Sequence, residues 1–225
     1  MKKLLVIVLI IASNLIYGQG LNHNYLIGYT IADPPWTTHD KGIIKFNNIS
    51  FGIFGLSRKM LFYEAQANIA NDTGAILFYT NGCWIANALE DTMLNGSGIN
   101  PDPYVTQYCA PPSALPYPQA NIILPFPGDS NKYVLFHHGG SQADPNSLPL
   151  ISYYSVIDMT LDGGLGGVVQ SQKNVVLIQD TLNIGFTACK HANGRDWWVV
   201  IIKGKSNLIY KVLLTDQGVQ TPVTQ

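Results

Sequence analysis

Apolar and polar positions repeat one plan three times along the chain: an apolar strand, a tight polar turn, and then an aromatic-rich strand. The copies cover, with their turn glycines, residues 67–80 (Gly74), 120–138 (Gly128) and 187–202 (Gly194). The glycines recur at intervals of 54 and 66 residues. Long repeats of this kind are typical of propellers and other arrays. The pattern therefore predicts an array of similar β-units.

Strand-like alternation and short apolar runs continue outside these hairpins. We expect strands at residues 42–47, 49–54, 62–70, 75–80, 120–124, 132–138, 150–159, 174–178 and 208–214. The four strands between residues 120 and 178 would form one complete four-stranded antiparallel blade. The sequence thus predicts an all-β fold, a partial β-propeller of about two and a half blades. A β-sandwich, which also has short strands and frequent turns, is the alternative.

The fourth strand of the last blade is expected beyond Gln225. An arc of two and a half blades would leave sheet edges and blade faces uncovered, which proteins avoid. Closed propellers have about 4–8 blades. We therefore expect residues 19–225 to be a propeller segment of a longer protein that carries the remaining blades, with closure of the ring by a dimer as the alternative.

Polar residues at the three hairpin turns are expected to hold them in shape. Asp72 and Asp129 lie within the first two turns, and Asp196 follows the third. Aspartate and glycine tolerate the backbone conformations of tight turns, and a carboxylate can accept hydrogen bonds from turn N–H groups. We therefore assign a structural role in the turns to Asp72, Gly74, Gly128, Asp129, Gly194 and Asp196.

The N-terminus has the features of a secretory signal peptide. Lys2 and Lys3 precede an unbroken apolar run over residues 4–12, followed by small and polar residues up to Gly18. This order is typical of a signal peptide, and the run is shorter than the roughly 20 residues of a membrane span. We expect residues 1–18 to be removed, so that the protein is secreted or displayed on the cell surface without a transmembrane segment.

Export determines how the three cysteines are interpreted, since disulfides persist in oxidising compartments. Cys83 and Cys109 flank one loop-rich stretch and are the expected disulfide pair. Cys189 alternates with polar residues in an apolar strand, and we expect it to be a small buried side chain.

Residues 81–113 contain many Asn, Gly and Pro residues and show no sustained period, apart from a possible short helix over 85–93. A loop of this length inside a compact domain is usually functional or specially tethered. Binding residues are common on loops held by a rigid scaffold. The loop is therefore our expected recognition surface, lying off the sheets and tethered by the disulfide.

The composition excludes one class of partner and suggests another. After removal of residues 1–18, 11 Lys and Arg oppose 14 Asp and Glu, so no basic face is available for nucleic acid. Aromatic residues make up 11% of the chain. Trp84, Trp197 and His191 are candidate contacts to a ligand, although blade-to-blade packing is the more ordinary role for a tryptophan in a propeller.

No sequence motif indicates a catalytic activity or the binding of a particular cofactor. His137 and His138 are adjacent on a strand, so they point to opposite faces and do not easily share a metal. The His191–Asp196 combination is one candidate catalytic pair, but a turn-holding role suits these residues better. Calcium is the one cofactor with some support, because Asp158 and Asp162 lie beside a glycine-rich turn and calcium prefers oxygen ligands.

Several segments of the sequence, taken together, carry a resemblance to a known protein family. They are residues 74–87, 93–101, 153–159 with 163–166, and 190–198. The set resembles the N-terminal propeller-like region, of WD40 or YVTN type, of large secreted bacterial proteins that usually end in a type IX secretion sorting domain. The resemblance covers roughly residues 25–220. It implies a propeller, secretion and the Cys83–Cys109 pairing, while the sorting domain is not present in these 225 residues.

These observations lead to two functional hypotheses. The first is a non-catalytic scaffold that binds an extracellular protein or polysaccharide. The second is a propeller-type secreted hydrolase, lactonase-like or glycan-degrading, which would need acidic or histidine side chains gathered at a central channel. The positions of Asp72, Asp129, His191 and Asp196 distinguish them, since placement in outer turns would argue against an enzyme.

Overall fold

A computed structural model describes residues 24–28, 41–46, 49–109, 114–140 and 148–225, so the expected signal peptide lies outside the described residues. Within these ranges the protein is all-β, with one short α-helix and two short 3-10 segments. The strands form four antiparallel sheets, and none of them closes on itself in the described part of the chain. The all-β prediction is therefore confirmed.

The first two sheets have three strands each, ordered as they occur in the chain. Sheet I contains β1 (Asn24–Ile27), β2 (Gly42–Phe46) and β3 (Phe51–Gly55). Sheet II contains β4 (Ala67–Ala70), β5 (Ile76–Thr80) and β6 (Ile85–Asn87). Strand β1 was not predicted, because its four residues are too short to show a period.

Sheet III confirms the predicted succession of four antiparallel strands. It contains β7 (Asn121–Pro125), β8 (Lys132–Gly140), β9 (Pro149–Asp158), β10 (Gly167–Val168) and β11 (Val175–Gln179). The last two strands both pair with β9, at different positions along it.

Sheet IV contains β12 (Thr187–Lys190), β13 (Trp197–Ile202), β14 (Ile209–Thr215), β15 (Gly218–Val219) and β16 (Val223–Thr224). The expectation that its fourth strand lies beyond residue 225 is wrong, because β15 and β16 both pair with β14. Pro222 interrupts this edge, since proline has no N–H to donate to the ladder.

Alternation along the strands places the sheets against one another in chain order. In β8, Tyr133 and Leu135 join a core with sheet II, while Val134 and Phe136 join a core with sheet IV. Successive residues of a strand point to opposite faces, so sheet III is buried on both sides. A further core, which contains Leu26, joins sheets I and II. The stack therefore runs from sheet I to sheet IV.

The short helix is not where the sequence placed it. Residues 85–93 contain β6 and a turn. The Ile85 N–H donates to Gly96 O, and the Met93 N–H donates to Ile85 O. The helix α1 is Pro103–Tyr108, and the Asp102 side chain accepts a hydrogen bond from the Val105 N–H at 2.9 Å. An aspartate N-cap followed by proline is a strong helix start.

No helix in the described ranges is long and apolar enough to cross a membrane.

Candidate functional site

The first hairpin turns of sheets II, III and IV lie side by side and line a groove of about 810 Å³, which we call the turn groove. Its walls come from all three copies of the repeated hairpin. The lining residues that carry polar or aromatic side chains are Asn71, Asp72, Phe126, Asp129, Ser130, Tyr133, Lys190, Arg195 and Trp197. The repeat that defines the fold therefore also builds this site.

In the turn of sheet II, the backbone is held by Asn71, the residue before the predicted Asp72. Asn71 Oδ1 accepts hydrogen bonds from the N–H groups of Thr73 at 3.0 Å and Ala75 at 2.9 Å. Gly74 has a φ of +84°, which glycine adopts at no steric cost. Asp72 is exposed on the groove wall and does not make the backbone contacts expected of it.

In the turn of sheet III, Asp129 does hold the turn. One carboxylate oxygen accepts from the Asn131 N–H at 3.0 Å, and the other lies 2.7 Å from Lys132 Nζ. The Lys132 ammonium holds the pKa of Asp129 below its usual range. Gly128 has a φ of +82° here.

In the turn of sheet IV, the side chains of Asn193 and Asp196 both stabilise the turn. Asn193 Oδ1 accepts from the N–H groups of Arg195 at 3.1 Å and Asp196 at 3.0 Å. The buried Asp196 carboxylate accepts from Arg195 Nε at 2.7 Å and from Asn193 Nδ2 at 2.8 Å. Asp196 therefore anchors the side chains of the turn, and Arg195 lowers the pKa of its carboxyl group.

Arg195 also binds a second carboxylate, since Nη1 lies 2.6 Å from Asp216 Oδ2. On the same wall, Lys190 Nζ lies 3.9 Å from the centroid of the Trp197 ring and donates to Arg195 O at 3.1 Å. An ammonium over an indole is attracted by the ring quadrupole. Lys190 therefore covers one face of the Trp197 ring.

The groove is chemically suited to binding. The carboxylates of Asp129 and Asp196 are held ionised by cations, whereas a general acid at neutral pH requires a raised pKa. The described residues contain no group of three or more His, Cys, Asp or Glu that could hold a metal. The groove thus combines charged side chains of both signs with one indole that Lys190 covers on one face.

Two of the three predicted ligand contacts lie elsewhere. Trp197 lines the groove, whereas Trp84 is half-buried and packs between the core of sheets I and II and the residues around the disulfide. The Nδ1 of His191 accepts the Asn193 N–H at 3.2 Å, and its ring contacts Trp198 with a centroid distance of 5.8 Å. His191 therefore supports the turn of sheet IV.

The expected recognition loop is anchored to the neighbouring sheets at several points. Residues 85–87 form a strand of sheet II, so the prediction that this segment lies off the sheets is wrong. Asn100 donates to Gly82 O at 3.0 Å, and Asn174 of the neighbouring sheet donates to Gly98 O at 2.9 Å. Residues 81–109, which we call the wedge, therefore run from sheet II to contacts with sheet III, and residues 110–113 lie outside the described part of the chain.

His137 and His138 are both buried and point to opposite sides, as their adjacency predicts. His137 stacks on Tyr153 with a centroid distance of 5.5 Å, and His138 stacks on Phe186 at 3.9 Å. The two imidazoles therefore belong to different sides of sheet III and do not converge.

The predicted disulfide is confirmed, with Cys83 and Cys109 at a Cα–Cα distance of 5.4 Å. It joins the start of the wedge to the end of helix α1, within a small core that includes Val105, Leu115 and Tyr117. The prediction for Cys189 is wrong, because its thiol is free and exposed. Its strand β12 is the edge of sheet IV, and the face that carries Cys189 has no sheet packed on it among the described residues.

One of the two candidate calcium ligands, Asp158, makes local hydrogen bonds. Asp158 Oδ1 accepts from the Thr160 N–H at 2.9 Å and from its hydroxyl at 2.6 Å. Asp162 begins a short 3-10 segment that ends at Gly164.

Comparison with known proteins adds no family: no family model, no curated protein and no solved structure matches this chain.

Proposed function

We propose that this protein is an exported, non-catalytic binding scaffold, and that its turn groove binds an extended segment of an extracellular polypeptide. The observation that carries the proposal is that three successive hairpin turns line one groove of about 810 Å³. Repeated units that stack side by side create extended binding surfaces in this way.

The contacts of the charged groups support binding over hydrolysis. Asp129 is paired with Lys132, and Asp196 is paired with Arg195, so neither carboxylate is poised as a general acid. Both lie at turns, as does His191, whose Nδ1 already accepts a hydrogen bond. Among polymers, a polypeptide is favoured over a polysaccharide because Lys190 covers the Trp197 ring.

The remaining parts of the proposal concern architecture and location. The stacking of sheets in chain order supports a partial propeller in which each sheet is a blade. Contacts of β1 with β4, and of β4 with β7, support the same arrangement, because first strands of successive blades adjoin in a propeller. The signal peptide, the disulfide and the family resemblance support secretion, and the resemblance suggests the type IX route.

The test is a binding screen with matched variants. The full chain is immobilised and offered a library of extended peptides, and alginate, dextran and chitin oligosaccharides in parallel. We expect peptide binding that is abolished by Ser130→Trp, which fills the groove, and weakened by Asp72→Lys. The matched controls Ser206→Trp and Asp162→Lys place the same changes on turns outside the groove and should bind normally.

Two outcomes would overturn this proposal. One is polysaccharide binding that Ser130→Trp abolishes, since the groove would then serve sugars. The other is turnover of chromogenic esters, lactones or glycosides that is lost in Asp72→Asn, since the hydrolase hypothesis would then be correct.

A further inference from the structure

Sheet I has an apolar face that points away from sheet II. Cross-strand pairing places Ile44 opposite Ile53 and Phe46 opposite Phe51 on this face, while Ile43 points the other way into the core with sheet II. Phe51 is 65% exposed, Ile53 63% and Phe46 44%. Several large apolar side chains side by side form a patch, which monomeric proteins usually reserve for an interaction.

Sheet IV has a corresponding face at the opposite end of the stack. In β13 the buried residues Val199 and Ile201 point into the core with sheet III, so the residues between and beside them point outward. Ile202 is 47% exposed. Register places these outward residues in one patch with their partners on β12 and β14: Thr187, Cys189, Trp198, Val200, Ile202, Ile209, Lys211 and Leu213.

The contacts inside the chain indicate what such faces bind. Three times, the face of one sheet packs on the face of the next through branched and aromatic side chains, between sheets I and II, II and III, and III and IV. The outward face of sheet IV continues this series in one direction, and that of sheet I continues it in the other. The outer face of sheet IV is therefore of the kind that packs on a following sheet, and the outer face of sheet I is of the kind that packs on a preceding one.

We propose that these two faces bind each other between two copies of this chain, so that the outer face of sheet IV of one copy packs on the outer face of sheet I of the other. A second copy of this chain supplies both kinds of face at once, and its sheets are of the kind that already pack on one another within the chain. When a twofold axis relates the two copies, the contact between sheet IV of one copy and sheet I of the other forms twice. A heterologous contact repeated by such a rotation gives a closed ring of two copies.

The size of the resulting assembly agrees with the architecture. Two copies with four sheets each would place eight sheets in one stack, within the range of about 4–8 blades in which propellers close. The contact would bury Phe51 and Ile53 of one copy against the β13 and β14 side chains of the other. It is independent of the turn groove, which is lined by turns at the ends of the strands.

The first measurement is the mass of the full chain in solution by light scattering, over roughly a hundredfold range of concentration, because self-association follows mass action. We expect twice the mass of one chain, falling to one mass on dilution. Cys189 is a built-in reporter, since it is the free thiol on the outer face of sheet IV. Its labelling by a maleimide should slow as the two-copy species forms.

Two variants and their mixture test the head-to-tail geometry. Phe51→Asp changes the face of sheet I and Ile202→Asp that of sheet IV. Each should raise the dissociation constant by roughly 30-fold or more, because it places an unpaired charge inside an apolar contact. Mixing the two variants should restore a two-copy species, since the intact sheet IV of the first can bind the intact sheet I of the second.

Leu89→Asp is the matched control, because Leu89 is 61% exposed but lies in a turn away from both faces. It should associate like the unchanged chain. Circular dichroism confirms that all three variants fold. A single-copy mass at every concentration overturns the proposal and assigns the faces to another occupant. Association that persists in Phe51→Asp or Ile202→Asp alone also overturns it, as an isologous contact would leave one of them unaffected.

Discussion

The Nδ1 atom of His137 lies 2.6 Å from Oδ1 of Asn100, deep between sheet III and the wedge formed by residues 81–109. The other ring nitrogen lies 3.0 Å from the Ser155 hydroxyl on β9. Burial lowers the pKa of His137 to about 3, so the ring is neutral wherever the protein is folded near neutral pH. One uncharged imidazole thus joins the wedge to the sheet.

The first prediction concerns stability in acid. Burial lowers the pKa of both His137 and His138 to about 3, from 6.5. Between these values the unfolded chain binds more protons than the folded one, so the free energy of unfolding falls as pH decreases through this window. Each histidine contributes at most about 1.4 kcal/mol per pH unit. Urea unfolding followed by tryptophan fluorescence, at a series of pH values, measures this slope.

His137→Gln is the informative variant. It should lower the free energy of unfolding at neutral pH, because Asn100 and Ser155 lose a buried partner. It should also make the acid dependence shallower, because one of the two titrating groups is gone. An acid slope equal to that of the unchanged chain would contradict the assignment of the slope to His137.

The second prediction concerns the disulfide. The double variant Cys83→Ala, Cys109→Ala should lose about 3.5 kcal/mol of unfolding free energy, by the chain-entropy account for a separation of 26 residues. Amide hydrogen exchange in helix α1 should also accelerate, because Cys109 caps the end of that helix. Urea unfolding and exchange mass spectrometry measure the two effects. Cys189→Ser is the control and should be nearly neutral, since the thiol is exposed.

The third prediction concerns Arg58, which is 3% exposed. Its guanidinium donates to Met60 O at 3.0 Å and to Ile27 O and Gly28 O at 3.3 Å, and it lies 3.9 Å from the centroid of the Phe62 ring. It therefore connects the end of β1 to the segment that leads into sheet II. The planar fork can serve three carbonyls, whereas a lysine ammonium cannot match its geometry.

Both Arg58→Met and Arg58→Lys should therefore lower the free energy of unfolding by about 1–3 kcal/mol, because buried carbonyls lose their donors. Thermal and urea unfolding measure the loss. Lys59→Met is the neighbouring control, since its partner Asp91 is also on the surface and exposed ion pairs contribute little. If Arg58→Lys were as stable as the unchanged chain, the fork would not be the reason for arginine at this position.

The hairpins were predictable because their signals are local. Alternating apolar residues on either side of Gly128 and Gly194 define strands that the structure contains, and the turn glycines have positive φ values. The Cys83–Cys109 pair was also predictable, because few cysteines leave few choices. The helix start at Asp102 carried a capping signal that was available in the sequence, an aspartate directly before a proline.

Two of the failures, at Cys189 and at residues 85–87, share one cause, which is that burial and pairing depend on neighbours distant in sequence. Cys189 alternates like a core residue, but no sheet covers its side of β12. Residues 85–87 lack any strand period, yet they pair with β5 because Phe78 and Tyr79 present an open edge. Asp72 resembles a turn-holding residue as much as Asp129 does, and only the coordinates assign that role to Asn71.

By itself, the sequence determined the all-β class, the three hairpins and their turns, since these depend on side-chain alternation and on backbone conformations that a few neighbouring residues dictate. The tertiary structure decided which faces are covered and that the turns of sheets II, III and IV meet in one groove. Those outcomes depend on how separate sheets stack, because free energy is gained by burying apolar area wherever the chain brings two faces together.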